Sequence, residues 1–402
     1  MARLGGKGGA EDGPALMKVL IVSHPCATPI NQEIFATIRR LTGWKLTMVI
    51  PRSWKDEFGN LLDEEPLESI ADVVQKVPVF GRGNIIFHLY RKRWGNFLRR
   101  EKFDCIYLHQ EPYAPATAQI FFANAFQSSP AAFGFYSAQN LEKKYPPPFG
   151  WMEKRVLRYS NFSFPVSESV AEVLLAKGCR AKPTVCPLPV DTDRYRPLDN
   201  GTESEGTAAP GRKRIVIGFV GRLVAAKGLR TLAEALSQLR EADWRMVVVG
   251  TGEFQSEFAE LLSRGGVADR VEFVGYVPHQ QTPDYLRTMD ILVVPSETQP
   301  NWKEQFGRVI LEALACGGAV VGSDSGEIPK LLSRCGGGLV FPEGNGKELS
   351  SRLQQLLGDE TLRKQFAATG RQWVVENAGL EPVATKMAET MERATTLHRR
   401  ST

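Results

Sequence analysis

The chain reads as an α/β protein built from two doubly wound, parallel-sheet domains. Three observations predict this: apolar strands alternate with longer helical segments in both halves, a breaker-rich segment divides the halves, and the length suffices for two cores. The 402 residues are 43% hydrophobic and 24% charged, an ordinary globular balance. In the first half the expected strands are 18–23, 46–50, 104–108, 132–136 and 162–166. In the second they are 215–220, 246–250, 271–274, 291–294 and 319–322. No internal sequence repeat is visible, so the likeness of the two halves rests on rhythm.

Between the halves, residues 197–211 are poor in apolar side chains and rich in the breakers Gly and Pro, as a linker or mobile loop requires. Residues 1–16 read as a flexible leader, with Met17 immediately before the first strand as an alternative start. The leader has no apolar stretch of a secretory signal, and no run reaches transmembrane length, so a cytoplasmic location is expected. Six cysteines without a CxxC pair read as reduced, buried thiols, and neither disulfides nor zinc are expected. Residues 1–200 carry 26 Lys+Arg against 20 Asp+Glu, so the basic excess behind the net +5 is N-terminal.

Two glutamates eight positions apart carry the strongest chemical signal. In Glu304-Gln305-Phe306-Gly307-Arg308-Val309-Ile310-Leu311-Glu312, Gly307 permits close backbone approach, and the apolar run after it starts a helix whose first N–H groups suit a phosphate. Glu304 then precedes the helix and Glu312 lies about one and a half turns inside it, so the carboxylates flank an anion site and can accept from sugar hydroxyls. The spacing alone is common by chance, and a glutamate there is often a cap or a solvated charge. The continuation through Ala315-Cys316-Gly317-Gly318 and Val320-Val321-Gly322-Ser323-Asp324-Ser325-Gly326 adds a second small-residue loop beside the same helix.

A separate segment, Ile215-Val216-Ile217-Gly218-Phe219-Val220-Gly221-Arg222, is an apolar strand followed by a glycine-flanked loop that also holds Lys227. Cations at the carboxyl end of a strand can meet a diphosphate, Arg as a planar fork and Lys as a mobile point charge. The alternative is a surface turn with two solvated charges.

On these residues the chain resembles the group 1, family 4 retaining glycosyltransferases of the GT-B fold. Their pattern is E-x-F-G-x-x-x-x-E-A-x-A-x-G-x-P-V-V. This chain departs from it with Ala319 for Pro and with Gln305 where Gly is frequent. The resemblance runs from about Met17 into the C-terminal region, with its specific motifs between Ile215 and Pro329. It implies two Rossmann-like domains facing an interdomain cleft: an acceptor-binding domain over 17–196, a nucleotide-sugar-binding domain over 212–375, and a C-terminal helix over 376–402 crossing back to the first. It also implies that Arg222 and Lys227 stabilise the departing diphosphate, and that Glu304 and Glu312 orient donor sugar and ribose. Gly221, Phe306, Gly307, Arg308 and Val309 join them around the donor. No metal and no cofactor besides the nucleotide diphosphate sugar are implied.

In the first half, His109 follows a strand and opens a loop at the carboxyl edge, where it can hydrogen-bond a donor sugar, as the family's cleft histidine does. A structural, helix-capping histidine is the competing reading. His24 and Asn31, on the loop after the first strand, and Gln139, after another, are expected to face an acceptor. The first of these loops lacks the Gly-Gly turn frequent in the family. Residues 85–102 mix six Lys/Arg with aromatic side chains. They read either as a peripheral contact to anionic membrane, with Trp94, Phe97 and Leu98 entering the interface, or as an ordinary sheet-packing helix. No nucleic-acid motif accompanies them.

The expected function is a metal-independent, retaining hexosyltransferase of polysaccharide or glycolipid biosynthesis. It moves a sugar from a nucleotide diphosphate donor to a hydroxyl of a glycan, a lipid-linked or a small-molecule acceptor, at the inner face of the membrane if attached. A nucleotide-sugar epimerase and a catalytically silent nucleotide-sugar-binding protein are the alternatives.

Overall fold

The computed structural model describes residues 16–55, 61–62, 65–84, 86–198 and 214–401. The leader up to residue 15, most of the expected linker and Ile85 lie outside the described residues. In chain order the strands are β1 (Lys18–Ser23), β2 (Lys45–Pro51), β3 (Trp54–Lys55), β4 (Leu61–Leu62), β5 (Val74–Val77), β6 (Val79–Phe80), β7 (Leu89–Tyr90), β8 (Cys105–His109), β9 (Ala132–Ser137) and β10 (Phe162–Pro165). They continue with β11 (Ile215–Val220), β12 (Trp244–Val249), β13 (Val271–Gly275), β14 (Ile291–Val294), β15 (Ala319–Ser323) and β16 (Gly338–Phe341).

Two six-stranded sheets result, in the orders β10-β9-β8-β1-β2-β5 and β13-β12-β11-β14-β15-β16. Every pairing in both is parallel. Central strands such as β1 and β11 are covered on both faces, which is why they read as unbroken apolar runs. The fold is the expected pair of Rossmann-like domains. Each sheet also has a strand absent from the sequence expectation, β5 and β16, and both are edge strands. Their sequences, Val-Gln-Lys-Val and Gly-Leu-Val-Phe, are short and mostly half-exposed, so neither presents a continuous buried run.

In each sheet the chain first builds outward on one side of the starting strand and then on the other. The reversal falls between β1 and β8 in the first sheet and between β11 and β14 in the second. At such a switch point the loops diverge above the carboxyl ends and leave a crevice. This topology positions the site.

The helix Leu380–Ser401 packs on the first domain. Val383, Met387 and Met391 share one buried cluster with Val19, Ile21, Phe35 and Tyr107. The helices before it are stopped and restarted by local chemistry: Asp359 accepts from the Leu362 N–H at 2.9 Å and so caps helix Glu360–Asn377. All six cysteines are buried and unpaired.

The membrane reading of residues 85–102 needs correction. The helix there is Trp94–Glu101, and Trp94, Phe97 and Leu98 are only 3%, 6% and 4% exposed. They belong to the core cluster of Leu20, Val22 and Ile106, so the sheet already satisfies the apolar face that was expected to meet lipid. The exposed apolar side chains lie just before it, on the antiparallel β6–β7 ribbon and its turn: Phe80, Ile86 and Phe87.

Met391→Ala, at a side chain 1% exposed, should destabilise the first domain by about 2–5 kcal/mol. Leu397→Ala, 59% exposed on the same helix, should stay within about 0.5 kcal/mol of the parent. Urea melts of both variants check this.

Candidate functional site

The carboxyl ends of β11 and β14 present two loops that touch. The loop after β11 runs through Gly221 and Arg222 to a short 3-10 turn, Ala225–Lys227, and closes at Gly228. Gly228 is left-handed (φ 65°), and a Cβ there would stand 1.8 Å from the Pro295 carbonyl oxygen, so only glycine lets this loop lie against the end of β14. Lys227 Nζ reaches Glu304 Oε2 at 2.7 Å and lies 4.8 Å from the Trp302 ring centre. Ser296 Oγ donates to the same carboxylate oxygen at 2.9 Å. Arg222 is exposed on the same loop.

Gly307, left-handed at φ 74°, turns the chain into helix Arg308–Ala315, with Phe306 buried before it. The helix N-terminus and its dipole therefore open beside the Lys227–Glu304 pair. Glu304 is itself buried, and its backbone carbonyl accepts from Asn140 Nδ2 of the first domain at 2.9 Å. The two domains thus meet at this residue.

Inside the helix, Glu312 is 4% exposed. His279 Nε2 lies 3.0 Å from Glu312 Oε1, and since a carboxylate only accepts, that nitrogen carries the proton. Arg308 Nε stands 2.9 Å from the same oxygen as an ion pair without the alignment of a hydrogen bond. Burial alone would raise the Glu312 pKa, but the His279 hydrogen bond and the Arg308 charge outweigh it and hold the carboxyl below its ordinary value. The hydroxyl of Tyr195 is 3.2 Å from His279 Nε2.

On the opposing side, His109 ends β8 next to β1, and its Nδ1 lies 3.1 Å from Ser23 Oγ. Tyr136 meets its ring edge-on at 4.9 Å. Burial lowers the His109 pKa to about 4, so its imidazole is neutral near neutral pH and can donate or accept one hydrogen bond. Two residues on, Glu111 takes Ser137 Oγ and the Ala138 N–H, both at 2.7 Å, and burial raises its carboxyl to about 7 against those hydrogen bonds.

The structure therefore gathers Lys227, Glu304, Phe306, Gly307, Arg308, Val309 and Glu312 at one end of the second sheet, with Gly221 and Arg222 on the adjoining loop and His109 across the cleft. It does not place the expected acceptor residues alike. His24 is 7% exposed and packed between Trp54 and His88, with ring centroids at 5.0 and 5.1 Å, so its side chain is spent on an aromatic cluster and offers no open edge to an acceptor. Asn31 is half-buried and donates to the Pro25 carbonyl at 2.8 Å. Gln139 Oε1 accepts from the Leu141 N–H at 3.1 Å, within its own turn. Sequence reasoning did not single out His279 or Tyr195. Glu111 and Asn140 stand in the segments after β8 and β9 from which His109 and Gln139 were named, whereas His279 sits in a Pro-His-Gln-Gln turn that carries no signal of its own. Among the described residues, no three His, Cys, Asp or Glu side chains gather as a metal site.

Residues 202–373 match the family model described as glycosyl transferases group 1, and residues 42–194 match the one described as glycosyltransferase family 4. The 2-deoxystreptamine glucosyltransferase of Streptomyces kanamyceticus is 26% identical over 239 residues, covering 58% of this chain and 60% of that protein. The GDP-mannose-dependent alpha-(1-6)-phosphatidylinositol monomannoside mannosyltransferase of Mycobacterium tuberculosis (strain CDC 1551 / Oshkosh) is 31% identical over 213 residues, covering 50% and 54%. The chain thus spans 54–60% of the length of these relatives. The solved structure of sucrose-phosphate synthase from Thermosynechococcus elongatus shares the fold, with a TM-score of 0.71 at 17% identity over 95% of this chain and 100% of that one.

Glu111 sets a pH dependence. Its carboxyl is raised from 4.5 to about 7 in the native state, so between those values the native chain holds a proton that the unfolded chain has released. Stability falls with rising pH wherever the native state binds more protons. The parent should lose more stability between about pH 5 and about pH 8 than Glu111→Gln, which cannot titrate; urea melts at both pH values measure this.

Proposed function

The chain belongs to the group 1, family 4 glycosyltransferases of the GT-B fold, and from that premise we propose that it transfers a hexosyl group from a nucleotide diphosphate sugar to an acceptor hydroxyl, with retention at the anomeric carbon. The observation that carries this reading is the buried Lys227–Glu304 pair beside the N-terminus of helix Arg308–Ala315. Cation, helix N–H groups and carboxylate converge there, the set that a diphosphate joined to a sugar requires.

In this mechanism the bond from the anomeric carbon to the diphosphate oxygen breaks and one to the acceptor oxygen forms on the same face. The acceptor's proton passes to the departing diphosphate, so no side chain serves as nucleophile. Arg222, Lys227 and the first helix N–H groups stabilise the charge that grows on the leaving group. Glu304 accepts from a donor sugar hydroxyl through the oxygen not held by Lys227 and Ser296. Glu312, kept ionised by His279 and Arg308, accepts from the ribose. Neutral His109 hydrogen-bonds the sugar from the first domain. Two cations and a helix N-terminus supply the countercharge that a divalent metal would otherwise bring, so the reaction is metal-independent. An epimerase or a silent nucleotide-sugar-binding protein is less well supported: the relatives compared bear transferase names, and Arg222, Lys227, Glu304 and Glu312 are all retained.

Assays with UDP-, GDP- and ADP-sugars, with the product anomer read by NMR, test the proposal. Arg222→Ala and Lys227→Ala should each lower turnover by about 100-fold or more while the fold is kept, because they act on charge that develops as the diphosphate leaves. EDTA should leave activity intact. Wild-type turnover in a folded Arg222 or Lys227 variant, or loss on chelation restored by Mn²⁺, contradicts the assigned roles.

The relatives' names mention both a phosphatidylinositol monomannoside and 2-deoxystreptamine, and a lipid-linked acceptor would place the protein at the inner, cytoplasmic face of the membrane. The surface suited to that contact is the β6–β7 ribbon: Phe80, Ile86 and Phe87 are exposed, and Arg82, Arg91 and Arg93 lie in or beside the same stretch of chain. Each basic residue contributes about 1 kcal/mol near an anionic surface, so attachment is weak and reversible by salt. Wild type should co-sediment with phosphatidylglycerol vesicles at low salt and less with phosphatidylcholine. Changing Phe80, Phe87, Arg91 and Arg93 to Ser should abolish the difference. Equal sedimentation of the two proteins rules this face out.

A further inference from the structure

Below the cleft histidine the first domain leaves a cavity of about 60 Å³, several times the space one water needs. His109, Tyr136 and Arg308 are among its lining residues, so it adjoins the proposed transfer site. The apolar part of its wall comes from three parts of the chain, Ile34 and Phe35 from helix Glu33–Thr42, Phe164 from β10, and Val383 and Met387 from the returning C-terminal helix, while Asn31, Glu33, Asp191 and Arg194 also line it. The charges beside it are largely spent on each other, since Arg194 Nη2 contacts Glu33 Oε1 at 2.6 Å and Asp191 Oδ2 at 3.4 Å. The second guanidinium nitrogen, Arg194 Nη1, is buried without a hydrogen-bond partner.

We propose that this cavity is an acceptor subsite, which takes a short alkyl or aromatic aglycone while the hydroxyl to be glycosylated stays beside His109. The proposal rests on the transfer reading and names its acceptor class: a neutral, amphiphilic hydroxyl compound. A charged aglycone meets a guanidinium and carboxylates already paired with each other, and a wholly polar one leaves the apolar part of the wall unfilled.

Calorimetric titration without donor compares n-hexyl and methyl β-D-glucopyranoside as probes. Wild type should bind the hexyl glucoside at least about 10-fold more tightly, because the extra methylenes leave water for the cavity. Val383→Phe and Ile34→Phe fill it from opposite walls. In each, with native circular dichroism, the preference should fall below about 3-fold. A crystal soaked with the hexyl glucoside should place the alkyl chain between Phe35 and Val383, which keeps the test decisive should both variants misfold. Equal binding by wild type, a preference that survives in both folded variants, or alkyl density elsewhere overturns the proposal. Transfer to the methyl glucoside with no advantage for hexyl defeats the cavity alone. Hexyl binding that obeys these variants in a protein that transfers no sugar defeats the transfer reading and leaves the cavity standing.

Discussion

The ion pair between Lys227 and Glu304 is the contact on which the arrangement of the cleft depends. It joins the loop after β11 to the loop before helix Arg308–Ala315, the two segments that diverge at the switch point of the second sheet. Glu304 is only 8% exposed, so its carboxylate needs a partner; removing the partner from a buried pair costs about 3–5 kcal/mol. The partner is also the cation best placed for a diphosphate. In the proposed reaction an arriving diphosphate shares or takes Lys227, and a sugar hydroxyl becomes a further donor to Glu304. Ser296, on the same oxygen, holds the carboxylate in place during that exchange.

The domains meet through polar contacts around this pair. Asn140 reaches the Glu304 carbonyl, and the Glu304 carbonyl also accepts the Glu327 N–H at 3.1 Å. The Glu327 side chain in turn takes Ser169 Oγ at 2.7 Å, at the N-terminus of helix Glu168–Ala176, where the helix dipole favours a carboxylate. Lys330–Glu172 and Arg334–Glu168, each at 2.9 Å, extend the contact along the same helix. Apolar contact accompanies these polar ones, since Val166 and Val170 of the first domain share a buried cluster with Ile310, Ile328 and Leu331 of the second. A second apolar tie is the helix Leu380–Ser401, which buries Val383, Met387 and Met391 in the first domain and lines one side of the cavity beside His109.

How much of this was legible in the sequence follows from what each residue depends on. The central strands could be read because burial on both faces leaves an unbroken apolar run, as in β1 and β11. Edge strands β5 and β16 could not, because half-exposed positions break the run. Lys227, Glu304 and Glu312 were legible because a glycine-bounded loop or a helix start fixes them locally. His279 reaches Glu312, and Tyr195 reaches His279, only through tertiary packing, which leaves no local trace. The 85–102 segment shows the limit of composition: a helix packing on a sheet and a helix lying on lipid need the same apolar face, and only the neighbours decide which it meets. His24 failed for a related reason, since position after a strand does not reveal that Trp54 and His88 enclose the ring.

The most direct measurement of the central claim is a crystal structure with a nucleoside diphosphate, UDP or GDP, bound in the cleft. Lys227 Nζ should then contact a phosphate oxygen, with the diphosphate at the first N–H groups of helix Arg308–Ala315 and Glu312 on the ribose. A diphosphate bound away from that helix, with the Lys227–Glu304 pair intact and no phosphate oxygen near Nζ, would contradict the account.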